Sequence, residues 1–286
     1  MTSYLVNKED VVNFLDNPNM KNQDGYMFAY VTSPEVLARL VPKPLKPVAP
    51  VIAGYITHMG NPTFAKPYDE AVLYSLVSYG GRMLGAYPFT LFLSGEGAEE
   101  AMLAGREGAE EAMLAGREGA AIPKKLADKI SYTEENGSTH VVVTRHEVDL
   151  INLTFTPGIP NNPDIAKQLM AGQSKLDTPT DTYSFFFDYK IDQDHDGHNH
   201  FINTRLIATK TTGVTHAFTP GNITMELGTS SDDPVSELTV LQPVGGAHYQ
   251  MTSGKMHETI QLAKVEPDKI APYLITGRYD QAILGK

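Results

Sequence analysis

Apolar and β-branched residues alternate or run together in a series of short segments along this chain, at 26–31, 51–58, 71–79, 88–93, 140–147, 183–190, 201–209, 223–227, 237–241 and 257–264. Segments of this kind, bounded by Gly, Pro and Asp, predict strands. They follow one another without helical crossovers, so the expected fold class is α+β and mainly antiparallel, with the sheet curled or closed into a barrel or cone. Helical patterning is confined to the margins. Asn7 can cap an amphipathic run over 8–16 that Pro18 ends. Ser33-Pro34-Glu35 sets a cap, a proline at the first helical position and an acid in the first turn, ahead of Val36, Leu37 and Leu40. Further peripheral helices are expected at 163–173 and 268–275.

One stretch departs from this texture. EGAEEAMLAGR fills 96–106, recurs unchanged at 107–117, and begins a third time at Glu118. Two copies are too few to stack into a solenoid. Eleven residues is three helical turns, so a helix lengthened by one unit keeps its apolar face in phase. Against this, Gly105, Gly108, Gly116 and Gly119 each cost about 1 kcal/mol relative to alanine in a helix interior. The repeat therefore reads as an extension of a peripheral segment. With no polar or proline-rich linker elsewhere, a single domain over 1–286 is expected.

Composition narrows the function classes. A formal charge of -11 repels phosphate polymers and anionic lipid, and no Lys/Arg block offsets it, so nucleic acid is not an expected partner. Cysteine is absent, which excludes disulfides, thiolate nucleophiles and sulfur-ligated zinc. The first residues lack a basic stretch followed by an apolar one, and no apolar run approaches the ~20 residues of a membrane helix. A cytoplasmic protein without a membrane partner is the expectation.

The residues with the most chemical interest follow the repeat: Ile122-Pro123-Lys124-Lys125-Leu126. An ordinary lysine has a pKa of about 10.4, leaving only about 0.04% as the nucleophilic amine at pH 7. A second ammonium and an apolar wall both disfavour the charged form. By itself a Lys-Lys pair also suits a solvated turn.

The longer pattern separates these readings. Gly116-Arg117-Glu118, a four-residue spacer and Pro123-Lys124-Lys125-Leu126 closely resemble the signature segment of the acetoacetate decarboxylase family. Ala38 to Leu45, with Val41-Pro42-Lys43-Pro44-Leu45, is similar to that family's early helix and the element after it. Tyr68-Asp69-Glu70 resembles its Tyr-x-Glu, and 216–227 its late strand. The resemblance spans roughly 20–230. Acetoacetate decarboxylase is itself the reference case of a lysine activated beside another cation. The resemblance implies that Lys124 is the Schiff-base nucleophile, Lys125 the second cation, and Glu70 the proton-handling group, with Tyr87, Leu91 and Phe92 as apolar wall. It implies decarboxylation of a small β-keto acid through an iminium, which requires no metal or organic cofactor, and assembly as a homo-oligomer. Related Schiff-base aldolases or dehydratases share the imine, and a non-catalytic binding protein would keep the barrel alone.

Two departures bear on the substrate. Asn22-Gln23-Asp24 stands where the family carries an arginine, and Tyr55 stands near a second family glutamate. Arg82 and Arg117 are the candidates to supply the missing charge toward a substrate carboxylate. A separate cluster, Asp192-Gln193-Asp194-His195-Asp196-Gly197-His198-Asn199-His200, opens like a calcium loop, yet its twelfth position is Asn203 and strands are expected on both sides. It reads as an acidic hairpin turn.

Overall fold

The computed structural model describes residues 4–14, 16, 19–95 and 121–285. The duplicated segment and Arg117 lie outside the described residues. The strands are β1 (Met20–Val31), β2 (Lys46–Pro62), β3 (Tyr68–Tyr79), β4 (Met83–Ser94), β5 (Lys124–Leu126), β6 (Lys129–Glu135), β7 (Ser138–Arg145), β8 (Val148–Pro157), β9 (Thr180–Gln193), β10 (Asn199–Leu227) and β11 (Gln242–Lys264). All belong to one sheet in the order β11-β1-β2-β3-β4-β9-β10-β8-β7-β6, with β5 beside β4. Because β10 also pairs with β11, the path through β1, β2, β3, β4, β9 and β10 returns on itself. The sheet is thus curled as expected. Its seam is narrow: β4 meets β9 at the single pair Ala86↔Ser184, beside Gly85, where a Cβ would come within 2.5 Å of the Tyr183 carbonyl oxygen.

Alternation along the strands sorts side chains onto two faces. Phe28, Ile56, Ala71 and Phe92 turn outward from the closed circuit into the main core, where β6, β7 and β8 cover them with Ile130, Val141, Val143 and Leu153. The interior face carries Tyr55, Met59, Tyr68, Val72, Leu91 and Leu93. A second outer cluster, with Tyr87, Phe185, Phe187 and Leu206, is closed by Ile270 and Leu274 from the C-terminal segment.

The helix expected behind Ser33 forms at its cap, and the one expected over 163–173 runs over Pro163–Leu169. The Ser33 side chain accepts from the Glu35 amide ahead of Pro34–Leu40, and Asn162 accepts from the Ile165 amide ahead of Pro163–Leu169. The expected helix at 268–275 divides into Pro267–Ile270 and a 3-10 turn, Ala271–Tyr273. The expected strand at 237–241 is a correction: Val235–Leu238 is a 3-10 turn. Its period of three places Val235 and Leu238 on one side, and both enter the main core, which an alternating strand could not arrange. Among the described residues, no helix is long and apolar enough to cross a membrane.

Candidate active site

Glu70 and Lys124 approach each other on the interior face. Glu70 is the third residue of β3, opposite Thr57 on β2 and Leu93 on β4. Lys124 opens β5, opposite Leu91. Pro123 sets up that strand: the Lys124 amide donates to the Ile122 carbonyl at 2.9 Å, an inverse γ-turn that the fixed φ of proline favours. The Lys124 ammonium lies 3.5 Å from Glu70 Oε2, and both side chains are about 5% exposed or less.

Two phenols hold the carboxylate. Tyr55, the residue standing near the second family glutamate, donates to Glu70 Oε1 at 2.6 Å, and Tyr68 donates to Oε2 at 3.4 Å. Burial, then the Glu70 charge, push both hydroxyls well above the usual tyrosine pKa, so they remain protonated donors. The wall is apolar: Met59, Val72, Leu91 and Leu93 pack with Tyr68, and Ile122 and Leu126 lie against them. A carboxylate gripped at both oxygens beside an amine can accept and return a proton at a fixed point.

The adjacent lysine does something else. Consecutive residues of a strand point to opposite faces, so Lys125 turns away from Glu70 and into the outer core beside Phe92. There its ammonium donates to Asp233 Oδ1 at 2.9 Å and to the Asp232 carbonyl at 2.8 Å, and lies 3.3 Å from Asp280 Oδ1. Arg145 completes the group. It donates to Asp233 at 2.5 Å, to Asp280 through two contacts of 2.8 Å, and through Nε to the Leu126 carbonyl at 2.8 Å. Burial would raise the Asp280 carboxyl, but the bonds and charge of Arg145, then Lys125, hold it down at about 2. Lys125 and Arg145 thus meet Asp233 and Asp280, and His146 lies 3.3 Å from Asp280 at the exposed edge of the group. Lys125, expected as the activator of Lys124, is ion-paired with Asp233 and Asp280 on the opposite face from Glu70.

Other expected wall residues divide by face. Leu91 shares the Lys124 face, whereas Phe92 opposes Lys125 in the main core. Tyr87 would share the parity of Leu91, but Phe89 is an extra residue between the pairs Leu73↔Thr90 and Tyr74↔Pro88. This bulge reverses the alternation and sends Tyr87 into the outer cluster with Phe187.

Of the two candidates for the missing cation, Arg82 is the one among the described residues, and it does not reach the site. Arg82 is exposed in the turn after β3, at the opposite end of that strand from Glu70, roughly 30 Å away at ~3.3 Å per residue. Gln23 does sit on the site face, opposite Met59 and Met251, with its amide donating to the Met20 carbonyl at 3.0 Å. It brings no charge. The acidic segment at 192–200 is the hairpin turn between β9 and β10, with Asp194 accepting from the amides of Asp196 and His198 and with Gly197 at φ 86°.

The reading of motifs missed Asp233, Asp280, Arg145 and Arg278. A signal for one of them was present: Arg145 continues the buried parity of Val141 and Val143, and a buried arginine needs a carboxylate.

The acetoacetate decarboxylase (ADC) family model matches residues 6–265. The chain is 44% identical, over 99% of its own length and 96% of the relative's, to a "CLA biosynthesis isomerase" of Lactiplantibacillus plantarum. The crystal structure of acetoacetate decarboxylase from Legionella pneumophila superposes with a TM-score of 0.70 at 18% identity, covering 92% of this chain and 99% of that one. The enduracididine biosynthesis enzyme MppR, complexed with pyruvate, superposes with a TM-score of 0.62 at 12% identity, covering 87% and 91%.

Proposed function

We propose that this protein, which belongs to the acetoacetate decarboxylase family, is an isomerase that shifts a double bond in an unsaturated oxo fatty acid, with Lys124 forming an imine and Glu70 carrying the proton. The long match to a CLA biosynthesis isomerase supports isomerisation of a fatty acyl chain. A lysine imine requires a carbonyl, so the acyl chain must carry a ketone near its double bond. The observation that carries the reading is the charge balance at the site. Among the described residues, Lys124 is matched by Glu70, and the neighbours on that face, Gln23, Tyr55, Thr57, Met59, Leu91 and Leu93, are uncharged. A β-keto acid would bring a carboxylate within two bonds of the imine carbon and set it against Glu70. A ketone within a long chain brings none there.

In this reading the neutral Lys124 amine adds to the ketone and water leaves, giving an iminium. Glu70 removes a proton from the carbon between the iminium carbon and the double bond, and the electron pair flows into a dienamine. Glu70 then returns the proton to the far end of the diene. Hydrolysis releases the conjugated ketone and frees Lys124, with no net oxidation. Tyr55 and Tyr68 hold the carboxylate in one position for both transfers. General acid–base groups of this kind contribute ~10²–10⁴ in rate.

Decarboxylation of a small β-keto acid is the second reading, favoured by the family match, and it uses the same imine. The two separate in one experiment. The protein is offered a β,γ-unsaturated oxo fatty acid and, in parallel, acetoacetate; conjugated-enone absorbance and carbon dioxide are followed, and borohydride is added before peptide mapping. Enone formation with reduced adduct on Lys124 and little carbon dioxide is expected. Carbon dioxide release without enone would replace the isomerase by a decarboxylase, and no adduct on Lys124 with either compound would remove the imine from both.

A further inference from the structure

After β11 the chain crosses back over the strand that carries Lys124. That strand, β5, is three residues long and among the described residues pairs only with β4, so few ladder bonds are seen to fix it. Residues 277–280 touch it or the residues leading into it at three places. A Cβ at Gly277 would lie 2.8 Å from Pro123 Cβ and 2.9 Å from the Phe89 carbonyl oxygen, so only glycine lets the chain pass this close. Arg278 is 5% exposed, donates to the Ala121 carbonyl at 2.6 Å and the Leu274 carbonyl at 3.0 Å, and stacks 5.4 Å over the Tyr189 ring. Asp280 binds Arg145 and Lys125 from below.

Ala121 supplies an independent observation. Its φ is 57°, in the left-handed region that residues with a Cβ rarely adopt. Backbone held there persists only where its surroundings fix it. The carbonyl of this strained residue is the one that Arg278 holds, three positions before Lys124.

We propose that the C-terminal segment is a strap, and that Arg278 and Asp280 are positioning residues that hold β5 so that the Lys124 ammonium stays opposite Glu70. Neither touches the reacting atoms. Arg278 fixes the backbone where it enters the strand, and Asp280 fixes the outward-facing Lys125 so that its neighbour must face inward. The strap lies beyond the segment matched by the family model, which ends at 265. The inference rests on the reading of Lys124 as the imine-forming residue, but its first test does not.

The test compares the full-length protein with Arg278→Met, Asp280→Asn and the conservative Arg278→Lys. Amide exchange of 121–127, followed by mass spectrometry, is expected to quicken about tenfold or more in the first two, with β1, β2 and β3 unchanged. Turnover of the unsaturated oxo fatty acid should fall about tenfold with KM within about twofold, because a displacement of an ångström or less misaligns the reacting groups. Arg278→Lys should lie between. Unchanged exchange over 121–127 in both disruptive variants overturns the strap. So does exchange that rises equally over all strands, which would make these residues general stabilisers. If the parent neither turns over the substrate nor forms an adduct on Lys124, the functional reading falls, and the exchange comparison still decides whether the strap holds β5.

Discussion

Replacing Lys125 by glutamine separates two roles that a Lys-Lys pair can have. An activating cation would leave the fold intact and, once removed, shift the pH at which Lys124 forms its imine upward by about one unit or more. A structural ion would do the reverse. Lys125 and Asp233 are each 2% exposed, and removing one partner of such a pair costs ~3–5 kcal/mol because the other is left buried without full compensation. Arg145 remains on Asp233, and Asp280 is a third exposed, so the lower end, about 3 kcal/mol, is the expected loss. At roughly 2–4 °C per kcal/mol for a chain of this size, Tm should fall by about 6–12 °C. The pH dependence of borohydride trapping on Lys124 should not move. The double variant Lys125→Gln/Asp233→Asn leaves Arg145 facing Asp280 alone, one charge of each sign, and should regain more than half of the lost stability. Calorimetry gives Tm, and trapping across a pH series gives the profile. A Lys125→Gln protein as stable as the parent, with trapping displaced to higher pH, would refute the reasoning and restore Lys125 as the activator.

Glu70→Gln keeps a side chain that Tyr55 can still reach but cannot carry the proton; imine trapping should persist while turnover falls ~10²–10⁴-fold, and loss of both or of neither would contradict the role. Tyr55→Phe removes the 2.6 Å bond to that carboxylate, and at ~1.5–3 kcal/mol for a hydrogen bond to a charged group, kcat should drop roughly 10–100-fold, read from steady-state rates of enone formation. The depressed Asp280 carboxyl ties the strap to acid stability. A group held at about 2 against an ordinary 3.8 contributes stability that is complete above about pH 4 and disappears as pH falls toward 2. Urea midpoints of the parent and Asp280→Asn should therefore differ by a constant amount above pH 4 and converge near pH 2; a gap that persists at pH 2 would assign the effect to packing.

Local order settled a good deal of this protein before any contact was known. Alternating segments such as 71–79 and 183–190 lie within observed strands, because alternation at period two has one stable solution when one face is buried. Ser33-Pro34 and Asn162-Pro163 start helices because capping is a matter of neighbouring residues. The Pro123-Lys124-Lys125 and Tyr68-Asp69-Glu70 motifs identified the family, and Lys124 and Glu70 do meet. What remained hidden depended on residues far apart in the chain. Lys125 finds Asp233 across 108 positions and Arg145 finds Asp280 across 135, and a segment as short as β5 has no period to reveal which lysine faces inward. The side to which Tyr87 points turned on the one extra residue at Phe89, and a bulge changes every face beyond it without altering the pattern that predicts the strand. The sequence alone thus determined most of the segments that form strands and singled out Lys124 and Glu70 as candidates. Tertiary structure decided the face each side chain takes and where each buried charge is neutralised, since burial leaves an ion stable only where the fold brings its counter-charge.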